Sequence, residues 1–244
     1  MTGASYSDPR LTAVYDPLNP GSTDRDFYVA LAGDEAKTVL DMGCGTGRLA
    51  CALAARGHHT TGAEPAAAML DIARHGPGGG DVTWIESGAA ELSVATRFDL
   101  IIMTGHVFQV FLDDAEVVAV LANLRRHLAP GGRVAFETRN QAVQDWDSWR
   151  PEQSFEMIDV PGVGMVGYHC DIASLDGQLL TFESHFRFAA DDIVVAPQSL
   201  RFMTQGELAG LLSDAGYRDI TWYGDWDKSP PGPARPEIIV IAGP

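Results

Sequence analysis

Three glycines at alternate positions, Gly43, Gly45 and Gly47, stand between a strand-like run, Thr38 to Asp41, and a helical pattern with Leu49, Ala50 and Leu53 on one face. A strand, a tight glycine turn and a helix together let a nucleotide-like ligand lie against the main chain. Glycine serves there because a side chain would block the approach and because the turn needs backbone angles that other residues avoid. The spacing is Gly-x-Gly-x-Gly, not the Gly-x-Gly-x-x-Gly of dinucleotide folds, and Asp41 sits two residues before the first glycine. A carboxylate repels a pyrophosphate but favours a cationic amino-acid moiety. A second acid, Glu64, ends a short strand, and Pro65 suits the first turn of the helix behind it. A carboxylate at the tip of the second strand, about twenty residues past the loop, is placed to accept both hydroxyls of a ribose. A solvated acid near a helix N-terminus is the blander reading; Asp41 and the spacing favour the ribose. His106 follows the buried strand Phe98 to Met103, at the sheet edge where open α/β folds bind ligands. It is the candidate general base, or else a loop histidine bonded to backbone or touching a cofactor.

The stretch Val39-Leu-Asp-Met-Gly-Cys-Gly-Thr-Gly47 resembles the first motif of the class I S-adenosylmethionine-dependent methyltransferases. The resemblance implies S-adenosyl-L-methionine as cofactor, held at Asp41, Gly43, Cys44, Gly45 and Gly47. It implies a ribose contact at Glu64 beside Pro65, where the family often has Asp. Met69, one helical turn on, occupies the place where the family packs an apolar side chain on adenine; it also reads as core. The family commonly shows Gly-Asp-Ala where this chain has Ser87-Gly88-Ala89, so adenine contacts fall to the main chain of Gly88, Ala89 and Ala90, with Ser87 beside them. Met103 and Thr104 end the fourth strand near the cofactor. Tyr15 closes over the methionine end, as N-terminal tyrosines do in some relatives, or simply packs a helix. Met103-Thr-Gly-His106 stands where many base- and glutamine-methylating enzymes have Asn-Pro-Pro-Tyr, which argues against those activities. Leu128 to Thr138 again falls at a family position, as a helix end, a turn and a fifth strand.

These residues need a frame. Strands near 38–42, 59–63, 82–86, 98–103 and 133–138 alternate with helices near 47–56, 65–74 and 114–128, which implies a parallel sheet covered on both faces. The lead-in Met1 to Leu31 carries Tyr6, Tyr15, Phe27 and Tyr28, and its prolines make Val14 to Pro20 helix ends and loop. After Asn140 the pattern changes: Phe155–Val160, Val163–Ala173 and Gln178–Phe188 read as antiparallel strands, with Phe182, Phe186 and Phe188 on one face. The doubly wound pattern resumes at Thr204-Gln-Gly-Glu207, a capping box whose helix stops at Gly216. Asp219–Tyr223 and Glu237–Ala242 follow with no helix between them, hence an antiparallel hairpin. The expected fold is α/β: a doubly wound, mostly parallel seven-stranded sheet with a C-terminal antiparallel hairpin, and a small antiparallel β cap inserted after the fifth strand. Residues 1–144 form an N-terminal lid and the first part of the Rossmann-like domain, 145–200 the substrate cap, and 201–244 the last helix and strands.

The 244 residues, 45% hydrophobic, are enough for one sizeable core. A formal net charge of −16 disfavours nucleic acid, whose phosphates need clustered cations. No apolar run approaches a membrane span, and Met1 to Arg10 lacks a signal-peptide pattern. Cys44, Cys51 and Cys170 cannot all pair and form no Cys-x-x-Cys metal pattern, so a reducing cytoplasm is the natural setting and no metal is expected. His169 and His185, in the insert's strands, are lesser candidates for the base and face either the pocket or solvent, whereas Trp146, Trp149, Tyr168 and Phe186 line an apolar pocket or build the core of the insert. Arg139 reads as a surface cation or an anchor for an acidic substrate. The expected activity is methyl transfer to N, O or C of a small-molecule metabolite, with a homodimer through the insert as a further expectation. A same-fold protein that binds the cofactor without methylating is the alternative, ahead of an NAD-dependent oxidoreductase; a protein or RNA methyltransferase is disfavoured by charge and by the absent motif.

Overall fold

The computed structural model describes residues 8–244, so Tyr6 lies outside the described residues. Two helices come first, α1 (Pro9–Leu18) and α2 (Thr23–Ala32). The lead-in is therefore more helical than its prolines suggest. Pro9 opens α1, Asp8 caps it by accepting from the Arg10 N–H at 2.9 Å, and Pro17, which has no N–H to give the Ala13 carbonyl, sits one residue before the helix ends. Leu11 and Val14 on its inner side are buried and supply the packing.

The first sheet is built from β1 (Thr38–Met42), β2 (His59–Glu64), β3 (Thr83–Glu86), β4 (Phe98–Met103) and β5 (Leu128–Arg139). Its helices are α3 (Arg48–Ala54), α4 (Ala67–His75) and α5 (Asp114–Arg126). A short helix α6 (Pro151–Ser154) then leads to a second sheet of β6 (Glu156–Val160), β7 (Gly164–Asp176), β8 (Leu179–Ala189) and β9 (Asp192–Arg201). The chain returns through α7 (Gln205–Asp214) to β10 (Asp219–Tyr223) and β11 (Glu237–Gly243). The first sheet has the order β10-β11-β5-β4-β1-β2-β3, parallel from β3 to β5, with β11 antiparallel to both β5 and β10. Chain order reverses between β1 and β4, so the loops leaving those two strands border the crevice where such sheets take ligands.

Alternation along the strands sorts the core into two layers. Leu40, Met42, Ile101, Met103 and Phe136 face α5 and α7. Val39, Leu100, Ile102 and Ala135 face Phe27 and Tyr28 of α2 and Leu49 and Leu53 of α3. The Thr204–Glu207 capping box is formed on both sides, and Asp113 caps α5 by accepting from the Glu116 N–H at 2.9 Å.

The second sheet is a four-stranded antiparallel meander, one strand more than the sequence pattern predicts. Pro197 makes Ile193 to Leu200 read poorly as a strand, but β9 is an edge, where a residue without an N–H is tolerated. Tyr168, Cys170, Phe182, Ser184 and Phe186 face inward, towards the first sheet, with α1 packed at one end through Leu11 and Val14. Among the described residues, no helix is long and apolar enough to cross a membrane.

Candidate active site

The glycine turn after β1 has φ of 76°, 52° and 80° at Gly43, Gly45 and Gly47, the left-handed region that favours glycine. At two of them packing adds a second demand. A Cβ on Gly43 would stand 2.7 Å from the Val107 side chain, and one on Gly47 would stand 2.5 Å from the Trp84 ring. At Gly45 the nearest atom would be the Tyr15 ring at 3.7 Å, so there the main chain faces open space under Tyr15. Asp41 is 1% exposed; one carboxylate oxygen accepts from the Ala50 N–H of α3 at 3.1 Å, and Oδ1 is buried with no hydrogen-bond partner. Burial pushes this carboxyl up to about 7. An orphaned buried oxygen on the wall of a cavity is a place for a donor, and a cationic one fits best.

Glu64 accepts from the Gly45 N–H at 3.1 Å on one oxygen and from the Ala66 N–H, just past Pro65, at 2.9 Å on the other. It thus ties the glycine turn to the start of α4; burial raises its pKa and the two N–H bonds oppose that. Met69 and Met103 are 1% and 0% exposed, so both side chains are interior, Met103 against Leu40 and Phe136. The loop Ser87–Leu92 is pinned by Asn123, whose amide donates to the carbonyls of Ala89 and Ala90 at 2.9 and 3.1 Å, and the Ser87 hydroxyl donates to the Gly88 carbonyl.

The loop after β4 forms the other wall. Gly105 and His106 both have positive φ, 72° and 58°. Glu137 of β5, fully buried, accepts from the His106 N–H at 2.8 Å and, on its other oxygen, from the Tyr28 hydroxyl of α2. Burial lifts Glu137 to about 7. The His106 ring meets Glu237 of β11 through Nε2, 3.0 Å from Oε2. Burial, with Arg139 nearby, lowers His106 to about 4, and burial raises Glu237 to about 8. Between those values the pair carries no net charge and shares one proton. The Thr104 hydroxyl donates to Asp24 at 3.1 Å.

The sequence pattern does not single out Glu137, Glu237, Asp24 or Tyr28. Glu137 alone left a signal, as a charge inside the apolar run Val134 to Thr138 that must find a partner.

Two cavities flank this loop. One, of about 370 Å³, is bounded by the glycine turn, Asp41, Asp24 and Thr104. The other, of about 550 Å³, lies under the second sheet and is walled by Trp149, Tyr168, Phe182 and Phe186. Tyr15, Asn19, Gly105, His106 and Arg139 line both, so the cavities meet there.

Arg139 is not the surface cation its position suggested. Its Nη1 donates to Gln109 at 2.8 Å, its Nε is 3.1 Å from Asp145, and it lies over the Trp149 ring at 5.2 Å. His169 and His185 stack on each other at 4.6 Å and line neither cavity; odd-numbered positions there face outward. Trp146 is a core residue against Phe202.

This sheet order, with the glycine turn after β1 and acids ending β1 and β2, defines the class I S-adenosylmethionine-dependent methyltransferase fold. Residues 39–132 match the methyltransferase domain family. A Streptomyces cypemycin N-terminal methyltransferase is 31% identical over 146 residues, 58% of this chain and 60% of that one. A ubiquinone biosynthesis O-methyltransferase of Aromatoleum aromaticum is 36% identical over 138 residues, 53% of this chain and 56% of that one. The chain thus spans about half the length of the curated relatives it matches. The solved CcbJ methyltransferase of Streptomyces caelestis superposes with a TM-score of 0.75 at 21% identity, covering 91% of this chain and 89% of that one.

Proposed function

We propose that this protein is an S-adenosylmethionine-dependent methyltransferase acting on N, O or C of a small-molecule metabolite. One observation carries the reading: a cavity walled by the glycine turn and the partnerless Asp41 oxygen opens, at Gly105 and His106, into a second cavity lined by aromatic rings. S-adenosylmethionine supplies a methyl group already activated on a sulfonium. Asp41 receives its ammonium group, Glu64 the ribose hydroxyls, and the main chain of Gly88 to Ala90 the adenine. Tyr15 closes over the junction from α1. Holding an acceptor in line and excluding water then carries much of the rate. For a hydroxyl acceptor, the His106–Glu237 pair takes the proton; an amine needs only to arrive neutral.

In the same reading residues 145–200 are the acceptor cap, the setting is the cytoplasm, and the outer face of the cap, with Met157, Met165 and Ile193 exposed, is where a homodimer would form. Thermal unfolding with S-adenosylmethionine, S-adenosylhomocysteine, NAD and NADP tests the cofactor. A ligand at a hundred times its Kd adds about 2.7 kcal/mol, and a shift with the nicotinamides alone would overturn the reading. Tritiated-methyl transfer to a metabolite extract tests the chemistry: label left wholly on the cofactor would indicate a binding protein of the same fold. Sedimentation velocity tests the dimer, and a monomer at micromolar concentration would remove it.

A further inference from the structure

The inward face of the second sheet is not uniformly apolar. Cys170 and Ser184 are cross-strand partners in its middle, and Gln198 lies diagonal to Ser184, one row along beside Phe182. The Tyr168 hydroxyl and the Cys170 sulfur are 2.7 Å apart, and the Gln198 amide donates to the Ser184 hydroxyl at 3.2 Å. Ser184 stands directly opposite Cys170, which sets the two bonded pairs side by side as one polar network. All four line the larger cavity, although Ser184 is only 2% exposed and Cys170 7%. A sheet face that served packing alone would hold valine or leucine at these positions, since buried hydroxyls add desolvation cost without adding apolar contact.

We propose that Tyr168, Cys170, Ser184 and Gln198 form a recognition site for a neutral oxygen, a hydroxyl or carbonyl, on the methyl acceptor. The proposal rests on reading the larger cavity as the acceptor pocket. Hydroxyls and a primary amide each donate and accept, so the network can turn towards either kind of oxygen. It holds no ionised group. Burial raises the Cys170 thiol, which therefore stays protonated at neutral pH. The neighbouring cation, Arg139, is already engaged by Asp145 and Gln109, so nothing here repays the desolvation of a carboxylate or phosphate. The rings of Trp149, Phe182 and Phe186 surround the network and suit an apolar body next to that oxygen.

The test uses four matched probes, phenethyl alcohol, acetophenone, ethylbenzene and phenylacetate. Each is titrated by ligand-observed NMR into the full chain with excess S-adenosylhomocysteine. The alcohol and the ketone should bind about tenfold more tightly than ethylbenzene, the scale of one well-made hydrogen bond, and phenylacetate should gain nothing. Tyr168→Phe, Ser184→Ala and Gln198→Leu should each shrink that preference, with circular dichroism and the S-adenosylhomocysteine thermal shift unchanged. Equal binding of the four, binding of none, a preference for phenylacetate, or a preference that survives all three variants would overturn the proposal. Failure of the wider reading looks different: wild-type protein would show no thermal shift with S-adenosylhomocysteine, whatever the probes do.

Discussion

At the scale of single residues, the site is a set of carboxylates kept from water. Asp41 is buried with one unpaired oxygen and a pKa near 7, so near neutral pH it is about half protonated until a cation arrives. Binding of S-adenosylmethionine should then release a fraction of a proton at pH 7. Calorimetry in buffers of differing ionisation enthalpy reads this directly, and Asp41→Asn should abolish the release while weakening affinity at least tenfold. Glu64→Ala should also cost affinity, because the Gly45 N–H loses its acceptor and, if Glu64 holds the ribose as proposed, the ribose loses its partner too.

The His106–Glu237 pair gives a second expectation. It becomes a proton acceptor only on losing the shared proton, so transfer to a hydroxyl should rise with pH through about 8. In His106→Gln that rise should flatten; full turnover with an unchanged pH profile would remove the base role. Asp41 and His106 could be picked out from the linear chain, because motif spacing marks them. The partners that set their chemistry could not, because Glu137 and Glu237 lie 31 and 131 positions from His106.

At the scale of elements, the glycine turn separates two demands. Gly47→Ala places a methyl against Trp84 and Ala73 at a positive φ, and should lower stability by about 2–4 kcal/mol, read as a fall in Tm. Gly45→Ala meets no close neighbour, so it should cost only about 1–2 kcal/mol, for its backbone angle, yet lose most cofactor affinity. Comparable losses of stability in both would mean that Gly45 does not face the ligand. Strands β1 to β5 and the closing pair β10 and β11 were legible because apolar runs and turn residues mark their ends. The fourth cap strand and the helix carrying Tyr15 were obscured by Pro197 and Pro17: the first sits on a sheet edge, where a missing N–H is tolerated, and the second takes one hydrogen bond from α1 just before the helix ends.

At the scale of the whole molecule, Asp41, Glu137 and Glu237 have folded pKa values of about 7, 7 and 8, all raised by burial. The folded state therefore binds more protons than the unfolded one above the ordinary carboxylate range. Their contribution is fully present below about pH 4 and is lost as pH rises through 7 to 8. His106, lowered by burial, opposes this only below its ordinary value, so the window above about pH 6.5 is governed by the acids. Ligand-free protein should melt at a lower temperature at pH 8.5 than at pH 6.5, and S-adenosylmethionine should shrink the difference by neutralising Asp41. A Tm that rises across that range would show that these acids are ionised in the fold.

The edge strand β9 bears on how these molecules behave together. An open edge offers main-chain donors and acceptors to any extended segment that drifts past, and it is how soluble sheets grow into fibrils. Here Pro197 removes a donor from mid-strand, and the irregularity between Arg187 and Ala189 interrupts the pairing of β8 with β9 near its start. Concentrated protein is thereby protected against sheet extension along this border, and Pro197→Thr should shorten the lag before light scattering rises on prolonged warming.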